Sequence, residues 1–564
     1  MRTQETDVLV IGSGGAGLYA AIRAAEAGAR VSLWDKGLVA KSGGTVGGAG
    51  IAAVGPWSVP GDGPEAHAAD TMAGGSYLND ERLVRILVAE AQERVGEMQS
   101  WGLRFDRRPD GRYVLDVAGG HTYPRLLAIS DRVGLQMTKV LGRQVLAHAG
   151  IEQVPDAVAT RLLVRDGRVV GAVGLDLGAG EPVHVQAGAV VLATGGIGQL
   201  YPVTSNPIQC TGDGLALALA AGARLINMEQ VQFYPSGLVH PSSLRGFILG
   251  IQEYAQMYNG QGERFMARYE PEVLEKTTRD RLARAIHAEI SAGRATEHGG
   301  VWLDATGVPE ETFRSFEHEF DLCQKRGLDL RYQRVEVAPA AHYYMGGIAI
   351  DPDGHSSLPG LLAAGEVTGS VHGGNRLSGN SLADIVVFGA RAGESAARYA
   401  HGAGRPAASD GQVAHEEARL QALLRRGTGR LSAADGKERL RRLMWAEVGV
   451  GRNAAGLARA DATLEEMARE LLPQVGIEGP GLRHNPGIAA YLELENMIAV
   501  ARGIVRAAMA RTECRGAHWR DDGIAAPEPG RPPEWTVARQ ENDAPLSVTL
   551  VPAGAAADRG EVAP

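Results

Sequence analysis

A glycine-rich turn between an apolar strand and a helix is the feature that most constrains how this chain can fold. The pattern predicts a strand over residues 7–11, a turn over 12–17, a helix over 18–27 and a strand over 30–34. The turn fits the GxGxxG spacing, in which glycines let backbone N–H groups at the helix start approach a pyrophosphate. Asp35 closes the second strand, where a carboxylate accepts hydrogen bonds from an adenosine ribose. The segment therefore predicts a βαβ dinucleotide-binding unit.

Further small-residue segments favour FAD over nicotinamide as the dinucleotide. Residues 41–50 form a second glycine-rich loop, close to the first and suited to wrapping an isoalloxazine ring. Residues 193–196 follow a buried type of strand, and Glu366 follows the strand pattern of 360–365, where a carboxylate can bind ribityl hydroxyls. Several such loops together indicate a buried, permanently held FAD.

The sequence pattern changes along the chain in a way that predicts several domains. The glycine-rich sheet pattern covers 1–235 and returns over 345–405, which predicts a discontinuous α/β FAD-binding domain of the Rossmann-like, glutathione-reductase type. Residues 236–344, with amphipathic helices and few buried strands, predict an inserted α+β capping domain. Residues 408–523 have helical periodicity and predict a C-terminal helical bundle. Residues 524–564, with many Pro and Gly, predict an irregular tail.

Composition excludes several classes of protein. The net charge of −9 comes from interspersed acids and bases, so nucleic acid is not an expected partner. No apolar run reaches the roughly 20 residues of a membrane span and no secretory signal is visible, so we expect a cytoplasmic enzyme without direct membrane insertion. A peripheral place on a membrane subunit stays open. Cys210, Cys323 and Cys514 share no Cys-x-x-Cys pair, which excludes a self-contained iron–sulfur cluster, and no metal is expected.

The chain resembles the flavoprotein family that contains L-aspartate oxidase and the flavoprotein subunits of succinate dehydrogenase and fumarate reductase. The resemblance implies an FAD domain, a mobile capping domain and a C-terminal helical domain, with the active site between the first two. The matching stretches follow family order and are residues 10–17, 41–53, 193–196, 232–237, 262–266, 279–286, 342–347, 373–382 and 511–518. The candidate cofactor-binding residues are Gly12, Gly14, Gly15, Ala16, Gly17, Asp35, Lys36, Ser42, Gly43, Gly44, Thr45, Gly48, Ala193, Thr194, Gly195, Asp213, Glu366, Asn380, Ser381 and Leu382.

The resemblance also implies catalytic roles. Arg279 is the proton-transfer candidate, and because a guanidinium has a pKa above about 12 in water, this role requires desolvation and nearby positive charge. The structural alternative is that Arg279 only pairs with Asp280 at a helix start. His342 and Arg376 match the carboxylate-binding His and Arg of the family, since a guanidinium fork fixes a carboxylate bidentately and an imidazole adds a donor.

Three departures from the family pattern bear on the flavin and the substrate. Gly44 stands where the family has the His that attaches flavin covalently, so we expect non-covalent FAD. Tyr234, a fourth candidate active-site residue, stands where a His grips the second carboxylate of a dicarboxylate, and residues 250–255 lack further donors to it. Ala118 stands where aspartate oxidase has a Glu for the substrate ammonium, which disfavours aspartate unless Glu253 takes that place.

These features together predict a fumarate reductase/succinate dehydrogenase-like oxidoreductase that acts on the CH–CH bond of a carboxylic acid. Hydride would pass between flavin N5 and the β carbon while Arg279 handles the α proton. The alternatives are an L-aspartate oxidase-like enzyme, a flavoprotein subunit docked on an iron–sulfur or other electron-transfer partner, and a non-catalytic flavin-binding protein with a relic active site.

Overall fold

A computed structural model describes residues 1–116, 119–408, 410–477, 479, 481–523, 532–540 and 545–554. Its helices are α1 (Gly15–Glu26), α2 (Pro64–Gly74), α3 (Glu81–Ser100), α4 (Val133–Ala147), α5 (Asp213–Ala220), α6 (Met266–Tyr269), α7 (Arg279–Ser291), α8 (Glu310–Phe313), α9 (Glu317–Lys325), α10 (Asn380–Ala403), α11 (Asp410–Leu424), α12 (Ala433–Val448), α13 (Ala454–Glu466) and α14 (Pro486–Ala510). Its strands are β1 (Arg2–Ile11), β2 (Val31–Trp34), β3 (Gly50–Ala52), β4 (Leu115–Asp116), β5 (Leu126–Ala128), β6 (Ile151–Val154), β7 (Ala157–Arg165), β8 (Arg168–Asp176), β9 (Glu181–Leu192), β10 (Leu225–Ile226), β11 (Val231–Leu238), β12 (Gln256–Tyr258), β13 (Val301–Asp304), β14 (Val335–Tyr344), β15 (Gly347–Ile348), β16 (Leu361–Ala363), β17 (Glu534–Arg539) and β18 (Ser547–Pro552).

A mixed sheet of seven strands forms the first domain. Its order is β6-β2-β1-β9-β8-β7, with β16 also paired to β9. The pairs of β1 with β2 and β9, of β2 with β6 and of β16 with β9 are parallel, whereas β8 is antiparallel to β7 and β9. The predicted βαβ unit is present as β1, α1 and β2. Because the parallel strands end at one edge of the sheet, the loops after β1, β9 and β16 come together there.

Glycines let the first helix lie very close to its neighbours. A Cβ on Gly17 would lie 1.8 Å from the carbonyl oxygen of Gly12, so only glycine permits this close return of α1 onto the turn. On the other side of α1, a Cβ on Gly393 of α10 would lie 2.2 Å from the carbonyl oxygen of Ala20. The position of α1, and hence of its N-terminus, depends on these contacts.

The capping region has a hydrophobic core of its own. Apolar side chains of α7, including Leu282 and Ile286, pack with Val301 of β13 and Val337 of β14. These strands belong to an antiparallel sheet of order β11-β14-β13-β12. The sequence pattern indicated few buried strands in this region, and that part of the prediction is wrong because β14 is buried along its whole length apart from His342.

The C-terminal part is helical, with a sheet added after it. Helices α12, α13 and α14 pack on one another, and α14 also packs on α5 of the first domain. The prediction of an irregular tail over 524–564 is wrong for β17 and β18, which join β10 and β15 in a four-stranded sheet. Trp535 anchors β17, since its side chain is fully buried and its indole N–H donates to the carbonyl of Leu78 at 2.7 Å. None of the described helices combines the length and apolarity that crossing a membrane requires.

Alanine substitutions at two helical glycines should change stability in opposite directions. Of the two, only Gly393 lies where α10 closely approaches α1. Gly393→Ala forces a Cβ against backbone, and we expect it to lower the free energy of unfolding by about 1–3 kcal/mol. Gly96→Ala lies on an exposed position of α3, where the added methyl group meets no described atom within 4 Å, and helix propensity should raise stability by about 0.5–1 kcal/mol. Thermal unfolding of the two variants checks the prediction, and equal midpoints would contradict it.

Candidate functional site

A cavity of about 1320 Å³ lies at the edge of the sheet where β1, β9 and β16 end. Gly12, Ala193 and Ala364, which follow these strands, line it from the sheet side. Cap residues such as Arg279 and Phe316 line it from the other side. The cavity therefore lies between the first domain and the capping region, and its volume exceeds that of most small-molecule sites.

The cavity wall contains all the predicted cofactor-binding residues except two. Gly17 lies behind the wall, where it allows α1 to pack on the turn. Asn380 is fully buried, with its amide oxygen 2.8 Å from a ring nitrogen of His67 and its amide group donating to Thr71 Oγ1 at 3.0 Å. These two residues thus shape the site from behind and do not face it.

Asp35 organises the turn that faces the cavity. One carboxylate oxygen accepts hydrogen bonds from the backbone N–H of Ser13 at 2.9 Å and from its hydroxyl at 2.6 Å. The other accepts from Gly37 N–H and Ser42 Oγ, each at 2.8 Å. The predicted ribose acceptor therefore also fixes both glycine-rich loops relative to each other.

Lys36 connects the cavity wall to the C-terminal helices. Its ammonium lies 2.7 Å from Asp213 and 2.8 Å from Glu493 of α14, and it donates to Thr211 Oγ1 at 2.6 Å. Burial lowers and the two carboxylates raise the pKa of Lys36, with a net rise above its usual value. Glu493 was not among the sequence candidates, because its helical pattern resembles that of any exposed position on an amphipathic helix.

Polar groups near the middle of the cavity wall are left for a ligand. Thr194 Oγ1 is buried and has no hydrogen-bond partner among the described residues. Glu366 accepts from the N–H of Tyr344 at 2.9 Å, and burial raises the pKa of Glu366 to about 7. A buried polar atom without a partner is costly unless a ligand or water meets it, so these residues fit a polar cofactor.

Four predicted active-site residues meet at one end of the cavity. The rings of Tyr234 and His342 lie 5.3 Å apart, and the guanidinium of Arg279 lies 4.8 Å from the centre of the Tyr234 ring. Asp280 pairs with Arg284 at 3.0 Å, so the structural alternative of an Arg279–Asp280 pair is wrong. Arg279 therefore faces the cavity from the first turn of α7.

Arg376 is buried beside neutral partners. Its guanidinium donates to Gln232 Oε1 at 3.0 Å and to the carbonyl of Leu377 at 3.3 Å, while its Nε has no partner among the described atoms. Burial lowers the pKa of Arg376 to about 10, and Arg279 adds to the decrease. Burial and these two guanidiniums also hold the pKa of His342 well below its usual range, so the imidazole is neutral.

Two acids lie on the cap side of the cavity, and of these only Glu253 was considered from the sequence. Glu319 of α9 accepts from the backbone N–H of Gly250 at 2.8 Å, and burial raises the pKa of Glu319 to about 8. Glu253 lies 3.7 Å from Arg279. Nothing in the sequence distinguishes Glu319 from other polar positions of an amphipathic helix. Ala118, the position compared with the aspartate oxidase Glu, lies outside the described residues.

Cys210 also lines the cavity, near the flavin-type loops. It is buried, and that burial raises the pKa of its thiol to about 12. Across the described residues, His, Cys, Asp and Glu side chains form no group of three that could hold a metal ion.

Comparison with known proteins agrees with this geometry. Residues 7–382 match the family described as FAD binding domain, and residues 437–547 match the one described as fumarate reductase flavoprotein C-term. One subunit of the fumarate reductase (CoM/CoB) from Methanothermobacter marburgensis is 42% identical over 94% of this chain and 96% of its own length. L-aspartate oxidase of Caulobacter vibrioides is 37% identical over 91% and 93% of the two chains. The Mycobacterium smegmatis Sdh1 complex in the apo form contains a chain with a TM-score of 0.89 and 36% identity, over 98% of this chain and 95% of that one.

The cofactor follows from the cavity and these matches together. The matched FAD binding domain spans the loops after β1, β9 and β16 that line the cavity. The glycine turn, the orphaned Thr194 hydroxyl and the acid at Glu366 provide the donors and acceptors that a dinucleotide requires. The protein is an FAD-dependent oxidoreductase.

The hydrogen bonds of Asp35 predict a specific loss of FAD affinity. Asp35→Asn should raise the dissociation constant of FAD by about tenfold or more, because an amide cannot accept all four bonds and charge-assisted bonds contribute about 1.5–3 kcal/mol. Glu26→Gln, at the exposed end of α1, is the matched control and should not change it. Titration of the flavin-free protein with FAD measures both constants, and equal affinities would contradict the role given to Asp35.

Proposed function

Because the chain belongs to the flavoprotein family that contains fumarate reductase, succinate dehydrogenase and L-aspartate oxidase, we propose that it interconverts a saturated carboxylic acid and its 2-enoate. The observation that supports this proposal is the cluster of Arg279, His342 and Arg376 on one end of the FAD cavity. Two guanidiniums and an imidazole that line one cavity suit an anionic substrate with an acidic carbon next to its carboxylate.

Arg376 and His342 hold the substrate carboxylate in this proposal. Arg376 has only neutral hydrogen-bond partners, so a bound carboxylate would compensate its buried charge. Ser205 Oγ lies 2.8 Å from Nδ1 of His342, and with that hydroxyl donating, Nε2 carries the ring proton and donates to the carboxylate. The carboxylate is polarised, which favours negative charge developing at the α carbon.

Arg279 moves the proton at the α carbon. When bound, FAD would supply the hydride donor or acceptor of the reaction. Arg279 lies beside Tyr234, and its positive charge adds to burial in lowering the pKa of Arg376. Arg279 lines the same cavity as Arg376 and His342, where it can exchange a proton with a substrate that these two residues hold.

A second candidate reaction is the oxidation of an amino acid of the aspartate type. It is favoured by Glu253, which lies in the same cavity and 3.7 Å from Arg279, where a carboxylate can receive a substrate ammonium. Oxygen consumption with release of peroxide on addition of L-aspartate would identify this reaction. Fumarate added to the reduced protein would instead recolour the flavin if the first candidate is right.

We also propose a protein partner for electron transfer. The relatives from Methanothermobacter marburgensis and Mycobacterium tuberculosis are named as subunits, of a fumarate reductase (CoM/CoB) and of a fumarate reductase. With no metal-binding group among the described residues, electrons that reach or leave FAD would pass through another protein or a soluble carrier. A co-purifying iron–sulfur protein would identify such a partner.

The role of Arg279 predicts the result of a paired substitution. Arg279→Gln should slow the reoxidation of reduced flavin by an enoate at least about a hundredfold, because the proton donor is removed, while FAD stays bound. Arg281→Gln is the matched control on the same helix, since Arg281 is exposed and pairs with Glu270 at 3.1 Å. Stopped-flow absorbance of the flavin measures both rates.

Retained turnover in the Arg279→Gln variant would exclude this mechanism. Loss of turnover in both variants would show that the substitutions perturb helix α7 and would not support a specific role for Arg279. The flavin absorbance spectrum of each variant confirms that the cofactor site is intact.

The cavity wall further predicts that FAD is held without a covalent bond. Gly44, which lines the cavity, has no side chain to which the flavin could be attached. Acid precipitation of the holoprotein should therefore leave the yellow colour in the supernatant. Flavin fluorescence that stays with the precipitated polypeptide on a denaturing gel would contradict the prediction.

A further inference from the structure

A second, smaller cavity lies on the other side of Arg279 from the FAD cavity. Its volume is about 30 Å³, and it lies between helix α7, strand β11 and the C-terminal part, which contributes Ala517 and Trp519. Among the residues that the structure describes, the walls of the two cavities share two side chains, those of Tyr234 and Arg279. The guanidinium of Arg279 lies 4.8 Å from the centre of the Tyr234 ring, so this pair forms the partition between the cavities.

The second cavity has the size and the polar lining of a site for ordered water. A buried water needs about 10–15 Å³ of such space and several polar partners, so about two molecules fit. The polar side chains of the wall are those of Gln232, Arg279, Asp280, Arg284 and Asn375. The Nε atom of Arg279 is buried and has no hydrogen-bond partner among the described residues. Buried N–H groups are normally satisfied, and water in the second cavity can provide the partner.

The second cavity reaches the protein surface at Asp280 and Trp519. The side chain of Asp280 is 39% exposed and pairs with Arg284 at 3.0 Å. The guanidinium of Arg284 in turn lies 4.4 Å from the centre of the Trp519 ring. A carboxylate therefore stands where this cavity meets the solvent, and protons can enter here without passing through the FAD cavity.

Arg279 needs a proton supply if it acts as an acid. The pKa of an arginine is above about 12 in water, so a neutral guanidine is unstable at physiological pH. A second proton that reaches Arg279 while it donates the first keeps the guanidinium charged. In the proposed function the substrate occupies the FAD-cavity side of Arg279, which leaves the side toward the second cavity for this supply.

We propose that the proton which Arg279 gives to the substrate is replaced through the second cavity, by water that Asp280 positions. The inference rests on the proposed function, in which Arg279 protonates the α carbon. In the direction of reduction, the C=C bond gains a hydride and the proton of Arg279, while Arg279 takes a proton from the cavity water. That water regains a proton from solvent at Asp280, so each turnover moves one proton inward. Asp280 lines the second cavity and not the FAD cavity, so it is a positioning residue.

The test is a proton inventory of the reoxidation of reduced flavin by fumarate. Stopped-flow absorbance gives the rate at saturating fumarate in mixtures of H2O and D2O. If two proton transfers are coupled, the rate follows a curve against the deuterium fraction, whereas a single transfer gives a straight line. We expect a curve for the wild-type holoenzyme, and a straight line there would overturn the inference.

Two substitutions at the second cavity should remove this coupling. Asp280→Asn removes the carboxylate at the surface, and Ala517→Val fills space that the water needs. We expect each to slow reoxidation by fumarate about tenfold, less than the loss of the general acid itself because Arg279 stays in place, and to give a straight line. The KM for fumarate should not change. Reoxidation by ferricyanide, which takes electrons without protonating carbon, should keep its rate.

Glu270→Gln is the matched control. Glu270 pairs with Arg281 of the same helix at 3.1 Å and lines neither cavity, so this variant should keep the wild-type rate and curve.

Glu253→Gln tests the other route to Arg279. Glu253 lies 3.7 Å from Arg279, but on the wall of the FAD cavity. A curve that persists in Asp280→Asn and Ala517→Val, and becomes straight in Glu253→Gln, would overturn the inference.

Crystallography separates this inference from the proposed function. A high-resolution structure of the oxidised holoenzyme needs no turnover, and it should show ordered water in the second cavity within hydrogen-bond distance of Nε of Arg279. A dry cavity would overturn the inference even if fumarate reoxidises the flavin. If the water is present but neither fumarate nor crotonate reoxidises the flavin, the proposed function fails.

Discussion

The end of the cavity that contains Arg279, His342 and Arg376 depends on one buried guanidinium, that of Arg376, whose hydrogen-bond partners are neutral. Arg376 is 8% exposed, and its hydrogen bonds go to an amide oxygen and a backbone carbonyl. An ion in such a place lacks most of its hydration, and a bound anion restores the lost interaction. Burial, this charge and that of Arg279 together hold the pKa of His342 well below its usual range. The surrounding fold serves to hold these groups at the edge of an FAD site.

Much of the first domain could be predicted because its signals are local. The strand, glycine turn and helix of residues 7–27 lie next to one another in sequence, and close contacts explain the glycines at Gly12, Gly15 and Gly17. The capping sheet was underestimated because β12 has three residues and pairs with β13, a strand far away in sequence. The strand of Trp535 was missed because its Pro-rich surroundings dominate the composition, while its burial comes from β10 and Leu78, far away in sequence.

The side chains at one end of the candidate site could be predicted, but not the residues that contact them. The sequence and the family resemblance selected Arg279, His342, Arg376 and Tyr234, and the structure brings them to one cavity. Neither the sequence nor the resemblance could show that Gln232 orients Arg376, because this hydrogen bond leaves no recognisable sequence motif. Glu319 was also missed, since burial in the folded structure raises its pKa and its neighbours in sequence do not show that burial.

The burial of Cys210 has a consequence for the lifetime of the protein. Reduced flavins that meet oxygen generate peroxide, and peroxide attacks thiolates far faster than thiols. Cys210 lies on the cavity wall, but its raised pKa leaves almost no thiolate at physiological pH. The other two cysteines are buried as well. Cys210 therefore lies on the wall of the flavin cavity as a protonated thiol, a form that reacts slowly with peroxide.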